Sequence, residues 1–180
     1  MKKTIIAFLG IIISTATFSQ EKVYSTKSAT IKFFSSTPLE KIEGVNSQVT
    51  AKLGDKEGQF VFLLLVKGFK FDNSLLQDHF NENYMESTKF AKADFKGFIT
   101  NISTVNFSKD GVYPVTVKGN LTIHGVTKEK TVAGTIEVKG GKVTAKSIFK
   151  IGVTEFGIKG KYIGEKIANE VETTVICKFD

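Results

Sequence analysis

His79, Glu82 and Glu86 recur at i, i+3 and i+7, the spacing of one helical face, and an imidazole with two carboxylates is a donor set for a divalent metal. A solvated acidic helix face accounts for the same three residues more simply. The only other imidazole is His124, between Ile123 and Gly125, where a structural hydrogen bond at a turn is the expected role. The only thiol is Cys177. It alternates with Val171, Thr173, Val175 and Phe179, so it is expected to be a small buried residue and not a nucleophile. No Ser/His/Asp arrangement, CxxC, HExxH or phosphate-cradling glycine loop is present. The chain therefore carries no legible catalytic constellation, and its chemistry is expected to lie in what it encloses.

The elements that would build an enclosure are plain. Period-two alternation predicts eight strands: Ala29–Ser36, Ile42–Leu53, Gln59–Phe71, Ala93–Phe107, Gly111–Ile123, Thr131–Lys139, Lys142–Val153 and Ala168–Phe179. Gly54-Asp55, Lys109-Asp110-Gly111, His124-Gly125 and Gly140-Gly141 mark turns, the last suiting a two-residue hairpin. Short connections exclude a parallel sheet, which needs long crossovers. The fold class expected is all-β, a single eight-stranded antiparallel up-and-down barrel of the lipocalin type, because closure removes the edges of such a meander.

One helix is inserted near residues 74–86. Ser74 and Gln77 have capping-box spacing, and Leu76, Phe80 and Tyr84 form an apolar stripe opposite Asp78, Glu82 and Glu86. A helix there would cover the barrel or plug one end. Thr154–Lys166, with Gly157, Gly160 and Gly164, is either a plain connection or a lid over the mouth.

The third strand is apolar on both faces, from Phe60, Phe62, Leu64 and Val66 to Val61, Leu63 and Leu65, so one face is expected in the lumen and the other under the helix. Outward lysines set the parity elsewhere. Phe95, Gly97 and Ile99 point in opposite Lys96; Val115, Val117, Gly119 and Leu121 oppose Lys118 and Asn120; Val143, Ala145, Ser147, Phe149 and Ile151 oppose Lys146 and Lys150. Sixteen phenylalanines and no tryptophan, with small inward residues at Gly97, Gly119, Ala145 and Ser147, suit a slender apolar ligand. An eight-stranded barrel can equally be filled by its own side chains, and the sequence leaves both open.

Bulk properties bound the setting. Lys2 and Lys3, the apolar run Ile5–Ile13 and the small polar run Ser14–Ser19 read as a signal peptide over 1–19, leaving 20–180 as the barrel domain. The protein is then exported, periplasmic or secreted. The formal charge of +7 falls to +5 without Lys2 and Lys3. Its lysines are scattered, which disfavours nucleic acid and allows transient contact with anionic membrane surfaces. Monomer and homodimer are both open.

Two blocks together carry a family resemblance: Asp78-His79-Phe80-Asn81-Glu82-Asn83-Tyr84-Met85-Glu86-Ser87-Thr88-Lys89-Phe90 with Ala93-Asp94-Phe95-Lys96-Gly97, and Leu121-Thr122-Ile123-His124-Gly125-Val126-Thr127-Lys128. With them the chain resembles the YceI-like family of exported polyisoprenoid-binding proteins. Ala91 stands where relatives often have proline. The resemblance implies non-enzymatic binding of a long isoprenoid or fatty lipid, such as an isoprenoid quinone, in the lumen, with no cofactor required. The pocket expected is Phe60, Phe62, Leu64, Phe95, Ile99, Val115, Val117, Leu121 and Phe149, with Leu76, Phe80 and Phe156 closing its ends. A filled barrel serving as a stress or partner-binding module is the alternative.

Overall fold

Eight antiparallel strands close into one barrel in chain order. They are β1 (Val23–Ser36), β2 (Lys41–Gly54), β3 (Gln59–Leu65), β4 (Lys92–Ile99), β5 (Gly111–Ile123), β6 (Val126–Lys139), β7 (Lys142–Gly152) and β8 (Glu170–Phe179). The computed structural model describes residues 21–179, so the signal peptide expected over 1–19 lies outside the described residues. Closure comes from pairing of β1 with β8, Thr30 opposite Ile176 through Phe34 opposite Glu172. Every neighbouring pair is antiparallel and every connection joins adjacent strands, so no edge is left to recruit another chain.

Alternation also separates the two ends. The turns after β2, β4 and β6 lie at one end, which is sealed. Tyr24 stacks on Phe107 with ring centroids 5.3 Å apart and meets Phe179 at 6.4 Å, over buried Val105, Val138 and Val143. The connections after β1, β3, β5 and β7 lie at the other end, which is open. These include the two long irregular segments, 66–91 and 153–169.

Several boundaries differ from the expected ones. The third strand stops at Leu65 and not Phe71, because Val66–Gly68 turn in a short 3-10 segment. The fourth stops at Ile99 and not Phe107, again at a 3-10 turn, Ile102–Thr104. The sixth starts at Val126, five residues early, since the hairpin corner is only His124-Gly125. The outer face of β3 is not covered. Leu63 and Leu65 are 39% and 56% exposed, because the inserted helix crosses the open end and does not lie along the wall.

That helix begins as predicted at Ser74 (α1, Ser74–His79), but its cap is Asn73 and not Ser74. Asn73 Oδ1 accepts from the amides of Leu75 and Leu76 at 2.8 and 3.3 Å, satisfying two donors that the first turn leaves free. The α-helix ends early, and Phe80–Tyr84 form a π-helical turn closed by the Met85 amide donating to the Phe80 carbonyl at 2.8 Å. Leu76, Phe80 and Tyr84 still share one face. Asn73→Ala is expected to cost about 1 kcal/mol of helix stability. Amide exchange at Leu75 and Leu76 should accelerate while the barrel amides stay protected.

Candidate ligand-binding lumen

The inward rows of the barrel enclose a cavity of about 580 Å³. Eleven of the twelve predicted site residues stand on its wall: Phe60, Phe62, Leu64, Leu76, Phe80, Phe95, Ile99, Val115, Val117, Leu121 and Phe149. Lumen-facing residues that the sequence reading passed over include Ile31 and Phe33 on β1, Ile136 on β6 and Val175 on β8, all of which keep the same alternation. β1 and β6 carry lysines and threonines on both sides of the apolar positions, which hides their parity in the sequence.

Of the four small inward residues, Ala145 and Ser147 stand on the cavity wall, whereas the two glycines do not act as expected. Gly97 and Gly119 are opposite each other on β4 and β5, and the tip of the Phe95 ring reaches both. A Cβ at either position would meet Phe95 Cζ at 2.8 Å. The glycines therefore seat an aromatic ring against the wall and do not leave empty space. Gly44 does the same for Phe33 across the β1–β2 ladder.

The twelfth residue, Phe156, is a correction. It is fully buried but off the cavity wall. It sits in a 3-10 turn, Thr154–Phe156, that packs where β6 and β7 diverge, since their pairing stops at Gly134 opposite Ser147. Lys130 has the inward parity of Val132 and Ile136. It pairs with Glu155, and its ammonium lies 5.7 Å from the Phe156 ring centroid. This strap of Lys130, Glu155 and Phe156 closes the upper β6–β7 seam.

The open end is roofed by phenylalanines. Phe80 from the π-helical turn meets Phe33 at 5.5 Å, Phe69 at 5.4 Å and Phe71 at 4.9 Å between ring centroids. Such offset and tilted contacts add to the area they bury. Around this roof the lining becomes polar, with Glu40, Asn73, His79, Tyr84, Tyr162 and Lys166. The Tyr84 hydroxyl is held above its ordinary pKa of 10.0 by burial first, and then by Tyr162 and Glu40. The 153–169 segment is thus the rim of the mouth, with Ile158, Tyr162, Lys166 and Ile167 on the lining.

The two distinctive sequence blocks meet in space. His124 Nε2 bonds Glu86 Oε2 at 2.9 Å, and the Phe90 ring lies 4.2 Å from the imidazole, centroid to centroid. Glu86 (φ 43°) and His124 (φ 52°) are the only non-glycine residues with positive φ among those described. A left-handed conformation costs an L-residue about 1–2 kcal/mol, so the pair persists because each fixes the other. Gly125 beside it leaves no room for a side chain, with Phe90 Cε1 2.7 Å from where a Cβ would be. Glu86 is thereby drawn off the acidic stripe, and no cluster of three metal-ligating side chains occurs among the described residues. His124 pins the hairpin corner to the segment that carries the roof.

Cys177 also lines the lumen and is fully buried. Burial pushes its thiol pKa from 9.0 up to about 12. Only the thiolate is nucleophilic, so at pH 8 roughly one molecule in ten thousand carries it. Iodoacetamide at pH 8 should leave the native protein unmodified and label it fully in denaturant. Because the folded-state value is the higher one, the thiol's contribution to stability is complete below pH 9.0 and is lost as the pH rises toward about 12.

A family model described as a YceI-like domain matches residues 15–179. A polyisoprenoid binding domain from Saccharophagus degradans, implicated in plant cell wall breakdown, has a similar structure: TM-score 0.77 at 9% identity, covering 89% of this chain and 99% of that one. BcnA of Burkholderia cenocepacia gives 0.66 at 16% identity, covering 83% and 96%. A Campylobacter jejuni YCEI protein gives 0.54 at 12% identity, covering 100% and 99%. At these identities the likenesses establish a shared fold. No curated protein matches.

Proposed function

The chain belongs to the YceI-like family, and from that premise we propose that it is a non-enzymatic binder of a long-chain isoprenoid or other amphiphilic lipid. The observation that carries the proposal is the shape and chemistry of the lumen. It is apolar along its length, sealed by Tyr24, Phe107 and Phe179 at one end, and roofed at the other by Phe80 within a polar rim. The tail lies along Phe60, Phe62, Leu64, Val115 and Phe149, and the polar head sits near Tyr84 and Tyr162. Ten buried methylenes supply about 8 kcal/mol before the costs of ordering are subtracted. An isoprenoid quinone fits this division, with a compact polar ring on a long apolar chain. The protein is exported, and transport, storage or sensing of the lipid follows from binding.

The test is extraction of the natively purified protein with organic solvent and mass spectrometry of the extract, followed by titration of the stripped protein with a long-chain quinone. Recovery of a prenyl lipid and saturable uptake are expected. An empty extract together with no uptake would overturn the proposal. The competing reading, a partner-binding module without a lipid, rests on the exposed outer face of β3 at Leu63 and Leu65. It predicts that empty extract.

A further inference from the structure

We propose that one sector of the rim, the β1–β2 turn together with the 158–167 loop, is a docking surface for an anionic lipid bilayer. The inference rests on the reading that the lumen holds a lipid. Two large apolar side chains stand out from this sector, Leu39 at 65% exposure and Tyr162 at 40%. The turn and the loop are joined. Thr37 Oγ1 accepts from the Leu39 amide at 3.3 Å, and its single hydroxyl hydrogen is shared between the Glu40 carbonyl at 3.3 Å and the Lys166 carbonyl at 3.5 Å. Leu39 and Tyr162 therefore belong to one patch.

The charges of the patch are complementary to an anionic surface. Lys161 and Lys166 hold their ammonium groups 5.5 and 5.2 Å from the centroid of the Tyr162 ring. Lys41 and Lys159 are exposed nearby, and the acids of this sector are Glu40 and Glu165. Four lysines against two glutamates leave a net positive sector around an exposed tyrosine. That is an interfacial arrangement, with an amphipathic ring at headgroup depth and long cationic side chains reaching the phosphates.

Continuity with the cavity says why a bilayer is the occupant. Tyr162 and Lys166 line the lumen as well as the patch, and Leu75, 59% exposed, is a further apolar side chain on the lining. A lipid leaving the bilayer at this sector enters the lumen without crossing water.

The experiment is co-sedimentation with vesicles of phosphatidylglycerol and phosphatidylcholine at roughly 1:3, compared with phosphatidylcholine alone. The variant is Leu39→Ser with Lys161→Glu, because neither residue lines the lumen. The wild type should bind the anionic vesicles and release them in roughly 1 M salt. The double variant should bind about tenfold more weakly while taking up quinone from detergent micelles as the wild type does. Equal vesicle binding by the two proteins, or micelle uptake without any vesicle binding, overturns the docking surface. So does a Leu39-dependent dimer in sedimentation without vesicle binding, which would make a second copy the occupant. Failure of uptake from micelles counts against the lipid-binding reading alone.

Discussion

Replacing Phe80 with alanine is expected to shorten the residence of a bound lipid about a hundredfold. Phe80 is the one residue of the inserted segment whose ring touches three others, Phe33 on the wall and Phe69 and Phe71 on the way into the helix. Truncating a packed phenylalanine removes about 3–5 kcal/mol. Here that energy holds α1 and the π-helical turn over the opening. The helix is short and none of its residues is buried, so the Phe80 ring contacts are its main hold on the wall. The loss should fall on the roof and less on the barrel, whose ladders do not include Phe80. Stopped-flow transfer of a fluorescent lipid to acceptor vesicles should show the faster release, and hydrogen exchange should rise over residues 73–86 while β1–β8 stay protected. Unchanged release with faster exchange would mean that the roof does not gate the lumen.

Gly119→Val should give the largest loss of stability, about 3 kcal/mol, or a fall in Tm of roughly 6–12 °C. The added side chain meets the β4 backbone at Lys96 and Gly97 and the Phe95 ring at once. A strand in a closed barrel has no free side toward which to move. Phe95 is the only one of these groups that can swing away, and it can swing only into the lumen. The variant should therefore lose lipid capacity as well as stability. Phe95→Leu in the same chain should recover part of the loss, since the backbone contacts remain. Thermal melts by circular dichroism with a lipid titration measure both effects, and retained capacity at full stability would refute the account.

The wall of the lumen was legible because period two is enforced wherever one side of a strand faces lysines and the other faces oil. Lys96, Lys118, Lys146 and Lys150 gave the parity of β4, β5 and β7, and Phe95, Val117 and Phe149 followed. What lay at the ends was not legible in that way. Alternation carries no information about where a strand stops when apolar residues continue into a 3-10 turn, as at Val66 and Ile102. Phe156 shows the same limit. Apolar character says that a side chain is buried, but not whether it faces a cavity or wedges a seam. Glycine is ambiguous for a related reason, since a missing side chain describes a position and not the neighbour that leans into it. The contact of Glu86 with His124 is 38 residues long-range, and no local pattern announces it. The only hint was that both lie in blocks distinctive enough to suggest the same family.

The strand order has a practical consequence for anyone handling the protein. Val23 starts β1 opposite Gly54, and Phe179 ends β8 opposite Val143, so both lie at the sealed end, one barrel length from the opening. A tag, a fluorophore linker or a chip surface joined at either position holds every molecule in the same orientation with its opening turned to solution. Immobilised preparations should therefore exchange lipid with passing vesicles as readily as free protein. A graft at the His124-Gly125 corner would instead obstruct the opening.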